Sequence, residues 1–256
     1  MSQLIKNKFY LLFIFFFFIG GMNCKNSDKL AIQGLDFLQE GKKISALRYF
    51  DEALDINPNN PYALYGKGKI LLESTITFSL GQSMIERSLD HLNPKYKVDA
   101  YRSLASSYAY SNLYKKAINT LKQANEKGFQ SIEIISDIVQ YYISVKDYQT
   151  ARTILNENLS KYSKENKIYI DLALLEANQF QNLEKAKSIL EKSAEINVPT
   201  PELYKKLAII CYRLKLRNEA IDYLKKMQVM QNDADLIKQI DEWIGLIEKK
   251  SWQITL

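Results

Sequence analysis

The sequence predicts an all-α chain, a solenoid of about six stacked helix pairs closed by a C-terminal capping helix. A small residue recurs at Ala46, Gly81, Ala117, Ala151, Ala186 and Ala220, at successive spacings of 35, 36, 34, 35 and 34 residues. That is a solenoid period; an ordinary helical bundle has no reason to repeat one small residue at near-constant spacing. Apolar residues around each of these positions fall three and four apart, which puts them on one helical face. Composition agrees: 256 residues, 46% hydrophobic, can bury a core, while 9 Gly and 5 Pro are too few for a long flexible linker.

The units follow in order. The first carries Gly34 and Phe37, then Ala46, Phe50, Ala53 and Pro58. The second keeps Gly68, has Gly81 in place of alanine, and holds an extra residue or two between Ser74 and Ser79. The third is the most regular, with Tyr101, Leu104, Ala105 and Tyr108 on one face of a first helix and Ala117, Leu121 and Ala124 on a second. Its turn is Ser111-Asn112-Leu113, over which Tyr114 can close. The fourth has Tyr142, Ala151 and Leu155, the fifth Leu174, Ala186 and Leu190, the sixth Tyr204, Leu207, Ala208, Ala220 and Leu224. Small residues belong where two helices cross closely and large ones in the gaps beside them, so the two kinds do not interchange. After Asn232, Leu236, Ile240, Trp243 and Ile247 share a face opposite Asp241, Glu242, Glu248, Lys249 and Lys250. That pattern suits a helix covering the otherwise exposed end of a stack.

These residues resemble the tetratricopeptide repeat (TPR), whose consensus of about 34 residues runs Trp-x2-Leu-Gly-x2-Tyr, Ala-x3-Phe, a further small residue and a final Pro. Gly34, Phe37, Ala46, Phe50, Ala53 and Pro58 match it in the first unit, and the third matches as closely; the second, fourth and fifth depart further. The resemblance implies a right-handed α-solenoid whose first helices line a concave groove and whose outward positions contact a protein or peptide ligand. Those positions are Tyr62, Tyr65 and Lys69 in the second unit, Arg102, Ser106 and Tyr110 in the third, Asp137 and Gln140 in the fourth, Asp171 in the fifth, and Lys205, Tyr212 and Arg213 in the sixth. Tyrosine and arginine are typical anchors of such surfaces. The Lys and Asn set with which chaperone-binding TPR domains hold a terminal carboxylate is absent, since Ala31 and Leu35 stand there in the first unit and Tyr65, Gly66 and Lys69 in the second.

Lys6 and Lys8 precede an apolar run from Phe9 to Met22. It is shorter than the 20 or so residues of a spanning helix and suits a signal-peptide core. Gly20-Gly21-Met22-Asn23-Cys24 follows and resembles the lipobox of bacterial lipoproteins, in which the Cys is acylated after cleavage; Gly21 and Asn23 depart from the usual Leu and Gly or Ala. Acylation of Cys24, cleavage without acylation and retention as an uncleaved anchor all fit, and the place of Cys24 favours the first. Two or three acyl chains would anchor firmly, at about 0.8 kcal/mol per buried methylene. Lys25 in place of the Asp that favours inner-membrane retention leans toward the outer membrane. The expected organisation is a signal peptide over 1–23, lipid attachment and a short tether over 24–27, the repeat array over 28–232, and a capping helix and tail over 233–256.

Other functions find little support. Without Lys6 and Lys8 the chain carries 33 Lys and Arg against 29 Asp and Glu, the bases coming singly or in pairs such as Lys42-Lys43 and Lys115-Lys116. Nothing there makes a nucleic-acid footprint. His91 is the only histidine, which removes His-based metal clusters and leaves little for a Ser-His-Asp arrangement. The glycines are scattered, with no phosphate loop. Cys211, in Leu207-Ala208-Ile209-Ile210-Cys211, reads as a buried small apolar residue. The expected protein is non-catalytic, without metal, cofactor or small-molecule substrate, and works as an interaction scaffold at a bacterial envelope with envelope proteins as partners. The alternatives are a soluble or inner-membrane assembly factor keeping its N-terminal helix, and a cell-wall-polymer hydrolase with a pair of carboxylates.

Overall fold

Thirteen helices, and no strand, run through residues 26–249, the part of the chain that the computed structural model describes. The expected signal peptide and the acylated Cys24 lie outside the described residues. The helices are α1 (26–39), α2 (Lys43–Ile56), α3 (Pro61–Leu71), α4 (Phe78–Ser88), α5 (Pro94–Tyr110), α6 (Tyr114–Glu126), α7 (Ile132–Ser144), α8 (Tyr148–Leu159), α9 (Asn166–Asn178), α10 (Leu183–Ile196), α11 (Pro201–Arg213), α12 (Arg217–Val229) and α13 (Ala234–Glu248). They form six hairpins and a final single helix, as the small-residue period predicts. The chain divides into two compact units, one ending at Gln130 and one beginning at Ser131.

Sequence sets the helix boundaries. Asn60, Asn93 and Thr200 cap α3, α5 and α11, each followed by a proline whose missing N–H is no loss in a first turn. In five of the six hairpins the turn between the helices holds a left-handed residue five positions before the recurring small one: Gly41, Asn112, Lys146, Gln181 and Lys215. Four of these turns close the first helix with the same pair of backbone bonds, as where Leu113 N–H reaches Tyr108 O at 2.9 Å and Asn112 N–H reaches Ala109 O at 2.9 Å.

In the compact unit ending at Gln130, Phe50 is fully buried between Gly34 of α1 and Gly66 of α3; a Cβ at Gly34 would fall 2.6 Å, and one at Gly66 2.1 Å, from its ring. This is why the consensus glycine and aromatic appear together. Asn26 and Ser27, expected in a tether over 24–27, already belong to α1. Ser27 is buried because its hydroxyl donates to Ala53 O at 2.9 Å and accepts from Asn60 Nδ2 at 2.8 Å.

The compact unit beginning at Ser131 has three interlocking cores. One joins Val139 of α7, Ala151 and Leu155 of α8 and Ile168 and Leu172 of α9; the next joins Ile170 and Ala173 of α9, Ala186 and Leu190 of α10 and Leu207 of α11. The third joins Ala208, Ala220 and Leu224 to Ile240 and Ile247 of α13, with Leu236 and Trp243 packed at its edge. The capping helix thus buries the face its spacing predicts, and Asp241, Glu242, Glu248 and Lys249 face solvent. Because α9 contributes to two cores on opposite sides, nine of its 13 residues are buried. That is why the fifth unit looks degenerate in sequence: its first helix has no polar face.

Candidate functional site

The first helices of the first three repeats, α1, α3 and α5, enclose a pocket of about 340 Å³ within the first unit, lined by Leu35, Asp36, Leu38, Gln39, Tyr65, Lys69, Lys95, Tyr96 and Asp99. Helical spacing explains the set. Leu35, Leu38 and Gln39 follow one another at three and four along α1, Tyr65 and Lys69 at four along α3, and Lys95 or Tyr96 and Asp99 at four or three along α5.

Three of the lining residues form a bridge between α3 and α5. The Tyr65 hydroxyl donates to Asp99, and Lys69 Nζ lies 2.6 Å from Asp99 Oδ2 and 5.4 Å above the Tyr65 ring. Burial, then the hydrogen bond to Asp99, raises the Tyr65 phenol above the ordinary tyrosine range. For Asp99 burial acts upward, but hydrogen bonds from Lys69 and Tyr65 and the charges of Lys69 and Arg102 outweigh it and hold the carboxyl below its usual value. Tyr96 packs beside the bridge, its ring 5.7 Å from that of Tyr62 in an edge-on contact and 6.1 Å from that of Tyr65, with Lys95 Nζ 5.2 Å over its face.

Of the residues expected to contact a ligand, Tyr65 and Lys69 line this pocket, and Tyr62 supports it through Tyr96. Tyr65 is only 4% exposed and its hydroxyl is engaged by Asp99, so it offers a ligand little surface. Arg102 is half-buried and Ser106 exposed, farther along α5. Tyr110 is 70% exposed and leans on Phe78 with ring centroids 5.2 Å apart. Asp137 is half-buried and Gln140 exposed on α7, the first helix of the fourth repeat. Asp171 is not available as a contact: it is buried, accepts from the Ser136 hydroxyl and faces Lys167 Nζ at 3.6 Å. Lys205 lies 4.8 Å over the Trp243 ring, which ties it to the cap; Tyr212 is half-buried and Arg213 exposed.

Sequence reasoning missed Asp36, Gln39, Tyr96 and Asp99. The signal for Asp99 was present, since it stands 34 residues after Tyr65 and so one repeat on, but an acid on an exposed helix draws no attention until the tyrosine and lysine meet it. It also missed Glu176, 1% exposed on α9 and neutralised by Lys185 Nζ at 2.7 Å and Arg152 Nη1 at 3.7 Å.

Cys211 is fully buried, as its apolar run predicts, and burial pushes its thiol up to about 12. His91 is exposed. Among the described residues no group of three or more His, Cys, Asp and Glu is placed to hold a metal ion, and no helix is long and apolar enough to cross a membrane.

The small residues that recur in the sequence are all buried where paired helices cross, and the backbone agrees with solved structures of low identity. The chain has the tetratricopeptide-repeat fold. It is similar to the structure from a functional characterisation of pilF of Pseudomonas aeruginosa, at TM-score 0.61 and 13% identity, over 86% of this chain and 98% of that one. PilW, described as a widely conserved type IV pilus biogenesis factor, gives TM-score 0.62 at 13% identity over 84% and 97%. Yeast Tom70 gives 0.66 at 15% over 88% of this chain and 47% of its own. Among curated proteins the chain is 23% identical over 223 residues to the Bos taurus BBSome complex member BBS4, and it spans 40% of that relative's length. No protein-family model matches it.

Proposed function

We propose that this TPR chain is a non-catalytic interaction scaffold, anchored through acylated Cys24 to a bacterial envelope membrane, that holds a protein or peptide ligand on the first helices of its first three repeats. The pocket carries this reading. Three successive repeats contribute to it, its frame is fixed by the Tyr65, Lys69 and Asp99 bridge, and Asp36 and Gln39 stand at its rim without a side-chain partner among the described residues. A rigid frame with unspent polar groups at the edge suits docking, because the ordering cost is already met by folding. The likeness to PilW, a pilus biogenesis factor, and the sequence likeness to a member of a multiprotein complex support an assembly role. Lys25 after Cys24 favours the outer membrane. For a cell-wall-polymer hydrolase two working carboxylates must converge; of the two in this pocket, Asp99 is already committed to Lys69 and Tyr65.

A second reading, an assembly factor keeping an uncleaved N-terminal helix, draws on Gly21 and Asn23, which depart from the usual lipobox. Mass spectrometry of the N-terminal peptide separates the two, as acylated Cys24 or intact Met1. Substituting Cys24→Ala should abolish acyl labelling, and persistent labelling would remove the anchor from the reading. Cross-linking in detergent-solubilised membranes, followed by pull-down, should recover an envelope protein joined to the first unit; recovery of nothing but the chain itself would count against a scaffold.

A further inference from the structure

Four charged side chains line the α1, α3 and α5 pocket, two of each sign, and only two of the four are spent on each other. Lys69 and Asp99 pair across α3 and α5, with Nζ 2.6 Å from Oδ2. Asp36 on α1 and Lys95 on α5 are exposed, and among the described residues neither side chain has an ion pair or a hydrogen bond; the Lys95 ammonium rests 5.2 Å over the Tyr96 ring and keeps its charge. These two stand on opposite walls. The helix α3 lies between α1 and α5, since Phe50 packs against both Gly34 and Gly66 while Tyr65 and Lys69 reach across to Asp99. Leu35, Leu38 and Tyr96 make the recess between the walls largely apolar. The site is thus neutral in sum and dipolar across its mouth. A ligand carrying one sign of charge gains at one wall and is repelled at the other, so the order of charges along a ligand selects more than its net charge does.

We propose that the pocket receives a large aliphatic or aromatic side chain of an extended partner segment, with a basic residue on one side of this anchor pairing with Asp36 and an acidic residue on the other side pairing with Lys95. Packed helices lie about 8–10 Å apart, which puts α1 and α5 at most roughly 20 Å from each other, and an extended chain advances about 3.3 Å per residue. The two charges of the segment therefore stand no more than roughly six positions apart, with the anchor between them. An apolar recess accepts the anchor from either chain direction, whereas Asp36 and Lys95 accept the charges from one, so these two residues set the direction in which the segment lies. This rests on the scaffold reading and adds the chemistry of the ligand: a short segment of mixed charge about an apolar anchor, bound in a single orientation.

The test is selection of random short peptides displayed on phage, run in parallel against the full chain in detergent and against a charge-exchanged chain carrying Asp36→Lys and Lys95→Asp together. The wild type should enrich sequences with a large apolar residue between a base and an acid in one fixed order, and the exchanged chain should enrich the opposite order. A synthetic copy of the leading wild-type peptide should lose roughly tenfold or more on the exchanged chain and less on Asp36→Asn or Lys95→Gln alone, and added salt should weaken it on the wild type. The same peptide with its acid and base transposed should prefer the exchanged chain. Asp241→Lys, exposed on the capping helix, should bind as the wild type does, and helix content should be the same in every variant, since neither Asp36 nor Lys95 is buried. No enrichment, a consensus with one sign of charge, or the same charge order from both chains would overturn the proposal. Its failure is separable from that of the scaffold reading: an envelope protein captured equally by the wild type and the exchanged chain removes the charge pairing and leaves the scaffold. Peptides selected in the expected orders while no envelope protein is captured do the reverse.

Discussion

The second and third repeats solve the same packing problem differently. In the third, Ala117 of α6 is fully buried at the crossing with α5, and the turn before it is three residues long with Asn112 left-handed. In the second, the crossing is glycine on glycine: a Cβ on Gly81 would meet Gly68 O at 2.7 Å and Leu72 N at 2.9 Å, and one on Gly68 would meet Gly81 O at 2.9 Å. There α3 and α4 touch backbone to backbone, and the connection lengthens to six residues, with Ile76 93% exposed and not left-handed. The period is thus a constraint on how closely two helices pack, not on the residue that lets them. Where the helices come closer, alanine gives way to glycine and the turn is rebuilt.

The sharpest way to break this comparison is to add the methyl group that the third repeat carries. Gly81→Ala should destabilise the protein by about 1–3 kcal/mol in denaturant unfolding, although glycine to alanine within a helix otherwise gains about 1 kcal/mol. Gly245→Ala, in α13 with open space around it, should show that ordinary gain. Changes of the same sign at both positions would mean that α3 and α4 are not in backbone contact.

The turns give a smaller contrast. Lys146 occupies the left-handed place with φ 62°, a conformation costly for a residue with a Cβ. Lys146→Gly should therefore stabilise by about 0.5–1 kcal/mol and Asn112→Gly by less, since asparagine tolerates that region. Ile76→Gly, at the corresponding place in the second repeat, should give no gain. A gain there would show that its loop uses the common turn after all.

A smaller effect still is expected from pH. The folded-state pKa of Asp99 is lowered, so its contribution is present above the unfolded carboxylate value, about 3.9, and is lost as pH falls through the folded value. Tyr65 is raised, so its contribution is present below the unfolded tyrosine value, about 10, and is lost as pH climbs beyond it. With Asp99 about half exposed, the acid-side difference between wild type and Asp99→Asn should be about 0–1 kcal/mol at neutral pH, should begin to shrink as pH falls below the unfolded carboxylate value, and should be gone only below the lower folded value. A difference that persists in acid would mean that Asp99 acts through packing rather than charge.

The helix pairs, their register and the cap were legible because burial imposes a period that one sequence can display: each recurring small residue is buried at its crossing. Gly34 and Phe50 stood out as consensus positions, but their contact, with Gly66 on the other side of the ring, appears only in the structure. The left-handed turn was not legible, since only Gly41 among its five residues advertises a positive φ, while Asn112, Lys146, Gln181 and Lys215 are ordinary in composition. The pocket was half legible. Tyr65 and Lys69 follow from the repeat register, but Asp99 matters through Tyr65 and Lys69 on another helix, and a sequence gives no sign of which acid a lysine one repeat away has taken.

The smallest effect on stability belongs to the outer part of α5, and it bears on the comparison because the third repeat has regular packing to spare. Arg102 is half-buried and Tyr110 is largely exposed against Phe78, whose α4 belongs to the second repeat. Neither fills a core, so the paired change Arg102→Ala and Tyr110→Ala should leave thermal unfolding nearly unmoved, as substitutions away from packed sites usually do, within about 0.5 kcal/mol. If partner binding extends from the pocket along α5, the same pair should weaken capture of the cross-linked partner, because aromatic and arginine anchors carry much of the energy of an interface. Weakened capture with unchanged helix content would extend the contact surface beyond the pocket. Full capture would confine it to the pocket residues, and loss of capture only together with loss of helix content would make Tyr110 a support for the rebuilt loop of the second repeat rather than a contact.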